Sequence, residues 1–445
     1  MSQQLSRRQF GLAVTGLGAT FLLAACGTSA TPGAASNKSI STADEFKKAS
    51  LTFAFWGNPV RNAYTDQIIK AYTAAHPAIT VAQQPGEWAT YWTKLSTQVA
   101  GGTAPDIIQM DQAYIAEYGG RGALLDLSKV ATIDTAPLKS TLAAGTLNGK
   151  LYGIPTGNNA YAIGANKTLF DKAGVALPDD KTWTWDDFLS ICHQLTQGSG
   201  GKFRGTNWFG ADQELKIWLY QNGGEQLYTA SGKLGASTDN LTSFFAFVQK
   251  LFASGDGPTK DEYATDIAAA VQQTLFGTNK VAMEWMWSNQ VTAYQQANGG
   301  DVVLLRIPSA AGSSAKNGVY FKPSMYWSIS SQSKAPAQAG GLINDFLNST
   351  AAGALQLAER GVPANPAVLA VVQPKLSATD QIGVNYLESI KSEVTNVPPV
   401  PPKGTSTVAA VVQRHEQDVI FGRATPAAAA AAFKTEVEGL ISSAS

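Results

Sequence analysis

The stretch Leu51-Thr-Phe-Ala-Phe-Trp56, closed by Gly57-Asn58-Pro59, decides how the chain folds. Its short apolar and aromatic run reads as a strand, and the glycine and proline that follow end it. Tyr64 to His76 then carries apolar residues at helical spacing, and Ile79-Thr-Val81 returns as a strand. Tyr91 to Ala100 predicts a second helix, stopped by Gly101-Gly102. Asp106-Ile-Ile-Gln-Met110 predicts a third strand, with Asp111 at its carboxyl end. Short strands alternating with longer helices predict an α/β fold. In open α/β sheets ligands gather beyond the carboxyl ends of strands. Trp56, Glu87-Trp88 and Asp111 all occupy such places.

A second unit begins near Tyr161. Thr184 followed by Asp187 predicts a capped helix through Leu195. Glu214–Gln221 and Ser243–Phe252 read as helices, and Lys280–Trp285 and Tyr326–Ser330 as strands. Ala335–Leu347 and Ala351–Arg360 read as helices, as does the tail Val408–Leu440, broken by Gly422 and Pro426. Pro398–Pro402 (PPVPP) predicts a rigid connector. No internal repeat of fixed period is present.

At 445 residues with 44% hydrophobic content, the chain has room for two domains with large cores. Thirty-three basic residues balance 33 acidic ones, which argues against a nucleic-acid partner, since that would need a basic excess. Ten tryptophans fit either a large core or the handling of flat, partly apolar ligands. The three histidines, His76, His193 and His415, form no metal or triad pattern, and no P-loop appears, so no metal, cofactor or catalytic residue is expected.

Residues 1–26 read as an export signal. Arg7 and Arg8 lead an apolar run of about 15 residues, short of what a bilayer span needs. The run ends in Leu23-Ala24-Ala25-Cys26, which resembles the lipobox of bacterial lipoproteins. In that pattern Cys26 is diacylated, and two chains anchor a protein stably where one does not. Ser6–Phe10 resembles a twin-arginine signal, with an ordinary secretory signal as the alternative. Residues 27–50, rich in Ser, Thr, Ala and Gly, are expected to be a flexible tether of roughly 25–30 Å. The expected location is the outer face of the cytoplasmic membrane. Cys192, the one other cysteine, is expected to be a buried apolar residue.

Five stretches resemble signature positions of the bacterial extracellular solute-binding proteins of sugar-type ABC transporters, the maltose-binding-like class. They are Gly102–Ile107, Gly153–Gly157 with Asn166–Phe170, Thr182–Asp186, Gly277–Met283 and Glu359–Asn365, in the family's order. Ala165-Asn166-Lys167 departs from the family's Tyr-Asn-Lys, so no ligand role passes to Asn166. The resemblance implies a periplasmic-binding-protein-like type II fold, two α/β lobes joined by hinge segments with a ligand cleft between them. It places lobe 1 at 51–159, lobe 2 at 160–320, a return to lobe 1 at 321–360 and a helical completion of lobe 2 at 361–445. Crossings fall near Asn158–Tyr161, Tyr320–Ser324 and Gly361. It also implies a monomeric receptor that delivers its solute to permease subunits, served by a separate ATPase.

A pyranose offers one apolar face and a rim of hydroxyls, so its site needs an indole or phenol floor and fixed polar groups at the edge. Val281-Ala-Met-Glu-Trp-Met-Trp-Ser-Asn-Gln290 supplies Trp285, Trp287 and Asn289. Alternation turns both indoles to one face and keeps Glu284 off it, and Trp287, nearer the strand end, is the favoured contact. Trp56 with Asn58, and Glu87 with Trp88, offer the same chemistry from lobe 1, with Asp111 beside them; a core role for Trp56 and a capping role for Asp111 remain open. Asn158, Asn159, Lys322, Tyr326 and Arg360 lie at expected crossings, and Trp208 reads either way. Two rival readings remain: an exported carbohydrate hydrolase pairing two of Glu87, Asp111 and Glu284, and a receptor for a polyamine or glycerol phosphate.

Overall fold

The computed structural model describes residues 39–57, 59–139 and 141–444. The signal segment, Cys26 and Asn58 lie outside these residues. Strands β1 (Ala49–Trp56), β2 (Ile79–Gly86) and β3 (Ile107–Met110) are parallel neighbours in the order β2-β1-β3. Tyr326–Ile329 adds to β3 antiparallel, and Ile154–Pro155 closes the far edge. Alternation along β1 divides its side chains between two cores. Leu51, Phe53 and Phe55 enter a cluster with Ile68, Trp327 and Phe346, whereas Ala54 and Trp56 enter one with Tyr91, Trp92 and Met110. Helices α1 (Pro59–Ala75), α2 (Trp88–Ala100) and α3 (Gln112–Gly120) alternate with these strands, so both faces of the sheet are covered.

The second sheet runs Val302–Leu305, Gly157–Asn166, Val281–Trp287, Arg204–Thr206. Its large core joins Ile163, Phe188, Trp285, Phe244, Val412 and Phe433, from strands and from helices far apart in sequence. The helix Trp185–Gly198 starts with the expected capping box, Thr184 accepting from Asp187 N while Asp187 accepts from Thr184 N. Cys192 is buried and free.

Three crossings join the lobes. Thr156 separates Ile154–Pro155 of the first sheet from the hinge strand Gly157–Asn166 of the second. Phe321–Pro323 pairs antiparallel with that strand, Lys322 opposite Asn159, before the chain returns to Tyr326–Ile329. Val362–Pro363 pairs with its first residues, Val362 opposite Asn158. Ser324 knits the crossings: its amide donates to the Gly157 carbonyl at 2.9 Å, and its hydroxyl contacts Thr156 Oγ1 at 3.0 Å and the Arg360 carbonyl.

Three expectations change. The tether expected over 27–50 lies outside the described residues up to 38 and does not extend to 50, because Ile40 bridges Val130 and Ala49 already belongs to β1. The helix expected over Ala351–Arg360 spans Thr350–Gln356, since Leu357 turns to φ 50° and breaks it. Within 361–445, Pro366–Val372 packs on Thr350–Gln356, Val368 lying over Gly353, instead of on the second lobe.

Candidate functional site at the interlobe seam

Because β1, β2 and β3 are parallel, their carboxyl ends share one edge, with Trp56 opposite Gly86. There an aromatic cluster forms. Trp88 is 46% exposed, the most open indole at this edge. Its ring meets Trp56 at 5.0 Å and 74° and Trp92 at 5.4 Å and 85°, edge-to-face geometries that aromatic quadrupoles favour. Trp92 in turn stacks on Tyr114 at 3.6 Å. Trp56 is buried among Trp88, Tyr91 and Trp92, so its core role prevails and it props Trp88. Glu87, exposed, precedes α2 and makes no side-chain cap.

Asp111 takes the capping role and adds a pairing with Lys322. One carboxylate oxygen caps α3 by accepting from Ala113 N at 2.9 Å, and the other accepts from Lys322 Nζ at 2.8 Å. Lys322 belongs to the crossing strand Phe321–Pro323, so the pair links lobe 1 to the hinge, with side chains 16% and 10% exposed. The same ammonium lies 5.3 Å from the Trp287 ring centroid. Trp287, half-buried, leans on Tyr161 at 5.0 Å and faces Tyr320 edge-on at 6.4 Å. Asp111, Lys322 and Trp287 thus form one contact series from lobe 1 through the hinge to lobe 2.

Beside it, Asn159 is buried and its amide oxygen has no partner among the described residues. It lines a cavity of about 20 Å³ with Ser288, Asn289, Thr292 and Glu359, enough for one water. Asn158, half-buried, lies one residue before it on the hinge strand.

Four expected contacts lie elsewhere. Trp285 is 2% exposed, stacked on Trp185 at 5.8 Å and edge-on to Trp208 at 5.1 Å, inside the lobe 2 core. It shares a sheet face with Trp287, but helices cover that face at its position. Trp208 is buried with it and donates to Glu416 Oε1 at 3.2 Å. Tyr326 is wholly buried and donates to the Ala144 carbonyl at 3.0 Å. Arg360 is caged by Phe55, Tyr64, Trp327 and Phe346, with hydrogen bonds to Gln109 at 3.2 Å and Thr65 at 3.0 Å. Burial lowers its pKa to about 10. Lobe 1 uses this guanidinium as a structural post.

Glu284 is buried too, accepting from Asn207 at 3.0 Å and from its neighbour's amide, Trp285 N, at 3.0 Å. Burial and the nearby Asp266 push its pKa up to about 8, against the Asn207 hydrogen bond. Its partners are Asn207 and the Trp285 amide, and the acids that raise its pKa are Asp266 and Glu214, not Glu87 or Asp111. No group of three metal-ligating side chains occurs among the described residues.

Sequence reasoning missed Tyr161, Tyr320, Tyr114 and Trp92. It missed as well the far rim, where the proline connector touches lobe 1. Asn396 anchors that connector to lobe 2 through the Gly318 carbonyl and Gln226, both at 2.7 Å. From there Val400 packs on the Trp92 cluster, Lys403 lies against Gly120, and Ser406 donates to Glu117 at 2.9 Å. Tyr114, three residues after Asp111, was findable as the next residue on that helix face. The connector had no local signal.

The family model for bacterial extracellular solute-binding protein matches residues 67–382. A solved extracellular solute-binding protein family 1 structure from Alicyclobacillus acidocaldarius is similar at 31% identity and TM-score 0.66, covering 89% of this chain and 99% of that one. An oligogalacturonide-binding protein of Yersinia enterocolitica, solved with saturated digalacturonic acid, superposes at TM-score 0.79 and 22% identity, over 88% and 99%. A lactose-binding protein of Rhizobium radiobacter is 26% identical over 191 residues, 41% of this chain and 44% of that one. The chain spans about half the length, or less, of the curated relatives it matches.

Proposed function

Given that the chain belongs to the bacterial extracellular solute-binding proteins, we propose that it is the receptor of an ABC importer and binds a saccharide at the interlobe seam. The observation that carries the reading is the series Asp111–Lys322–Trp287, in which each lobe contributes a group and the hinge joins them. Trp88 in lobe 1 and Trp287 in lobe 2 supply indole surface for the C–H face of a sugar ring. Asp111, Lys322, Asn158, Asn159, Asn289 and Glu87 supply donors and acceptors for its hydroxyls. A ligand touching both lobes stabilises their closed arrangement, and only that difference in contact can move the equilibrium. The lactose-binding and digalacturonic-acid-bound relatives support a saccharide as the solute.

The same reading assigns no catalytic residue, with Glu284 committed to the lobe 2 interior. It assigns Cys26 to diacylation at the outer face of the cytoplasmic membrane, with the residues between it and the Ile40–Val130 bridge as the tether. Permease subunits, and through them an ATPase, are the partners. Titration of the mature protein with mono- and oligosaccharides, read by tryptophan fluorescence and melting temperature, tests the proposal. Saturable binding without product release is expected; at 100 times Kd it adds about 2.7 kcal/mol of stability. Release of a shortened saccharide would mean an enzyme.

A further inference from the structure

We propose that the Asp111–Lys322 pair makes the seam select uncharged sugars and reject uronates, an inference that rests on the saccharide reading above. A carboxylate ligand needs a cation free to receive it, because a desolvated anion without a partner is costly. Among the described residues around the hinge, Lys322, Arg61 and Lys216 already have one, and Arg360 is buried inside its aromatic cage. Lys322 donates to Asp111 at 2.8 Å, Arg61 meets Glu359 at 3.3 Å, and buried Lys216 pairs with Asp212. Tyr320, edge-on to Trp287, feels both the Lys216–Asp212 pair and Asp111, so these charges share one neighbourhood. At the far rim Lys403 lies against Gly120, at the end of the helix that carries Glu117, which pairs with Arg121 just beyond it at 2.7 Å.

The pair suits neutral hydroxyls instead. An ammonium has three N–H donors, and Asp111 takes one, leaving two for ligand oxygens. Asp111 Oδ1 and Oδ2 each accept one bond, from Ala113 N and from Lys322, and each keeps a lone pair for a ligand O–H. The pair therefore offers donors and acceptors side by side with no net charge, which matches the mixed donor and acceptor character of a sugar hydroxyl. A uronate's carboxylate would face Asp111 across Lys322 and would have to compete with it. The Yersinia protein, solved with an acidic disaccharide, would then differ from this chain in charge while sharing its fold.

The test uses matched sugars that differ only at C6: glucose with glucuronate, galactose with galacturonate, and galactobiose with digalacturonate. Each is titrated into the full mature protein by calorimetry at constant ionic strength. The neutral member of whichever pair binds is expected to bind at least tenfold more tightly. Asp111→Asn keeps the helix cap, because Asn serves that position as well as Asp, but frees the Lys322 charge. It should weaken the neutral sugar and move the neutral-to-acid preference toward the uronate by about tenfold. Lys322→Gln, folded by its melting curve, should abolish any uronate binding. A wild-type protein that prefers the uronate, or an unchanged preference in Asp111→Asn, overturns this inference and leaves the saccharide reading standing. Binding of no sugar at all overturns that reading and this inference with it.

Discussion

Trp285 and Trp287 stand two residues apart on one strand and one face, yet their surroundings set opposite roles. Trp285 has neighbours on every side, including Trp185, Phe188 and Trp208. Trp285→Ala is therefore expected to cost about 3–5 kcal/mol of stability, as emptied indole-sized core sites do. Its melting temperature should fall steeply while sugar affinity per folded molecule stays put. Trp287→Ala is expected to behave in reverse, losing tenfold or more in affinity with a smaller drop in melting temperature; equal effects in the two variants would refute the division. The lesser burial of Trp287 was legible because it is nearer the strand end. The burial of Trp285 was not, since alternation tells which face a side chain takes but not where the helices covering that face stop. Arg360 was illegible for a related reason. Its partners Phe55, Tyr64, Gln109 and Trp327 come from four separate segments, and a crossing residue with a long cation reads the same in a cleft as in a cage.

At the scale of the element, the crossing of three segments at Thr156–Gly157, Ser324 and Arg360–Gly361 leaves no room for side chains. Gly361 holds φ at 86°, and a Cβ there would lie 2.6 Å from Ser324 Oγ. A Cβ on Gly157 would lie 2.5 Å from the Val362 carbonyl oxygen. Gly361→Ala combines left-handed strain with that clash, so it should cost on the order of 1–3 kcal/mol, read as a lowered thermal midpoint. Gly422 also has a positive φ, 73°, but nothing stands within reach of a Cβ there. Gly422→Ala should cost only the backbone strain, roughly 1 kcal/mol. If the two variants melt alike, close packing at the crossing is not what constrains Gly361. The crossings near Tyr320–Ser324 and Gly361 were expected from the family signatures, whereas the first falls at Thr156–Gly157, just before the expected Asn158–Tyr161; the strands β1 and β3 were legible as short apolar runs. The connector over Pro398–Pro402 reads locally as a rigid spacer; that it bridges the lobes depends on Asn396, Gly318 and Gln226 coming together across the chain.

For the whole molecule, lobe 2 is built around acids that the fold holds in their neutral form. Burial is the main cause for each. Glu416 is pushed up to about 8, with Glu214 nearby adding to the rise and Tyr263 and Trp208 opposing it by hydrogen bonds. Glu284 is likewise pushed up to about 8, and Glu214 to about 7 despite its hydrogen bond from Tyr161. In the unfolded chain these groups titrate near 4.3, so between that pH and 8 the folded state binds more protons than the unfolded one. Their contribution to stability is fully present below about pH 4.3 and is lost as pH rises through 7 to 8. Glu262 works the other way. Arg204 and the Thr259 cap hold it at about 2, so its contribution is present above about pH 4.3 and fades as pH falls toward 2. The melting temperature should thus peak in the mildly acidic range and fall by several degrees between pH 5.5 and 8.5. Glu416→Gln keeps the shape and cannot ionise, so its melting temperature should fall less over that interval than the wild type's. Tyr161 links this interior to the seam, since its hydroxyl donates to Glu214 at 2.6 Å while its ring supports Trp287. Sugar affinity should therefore change over the interval around pH 7 in which Glu214 ionises. An affinity flat from pH 5.5 to 8.5 alongside a falling melting temperature would mean that the lobe 2 interior and the seam are uncoupled.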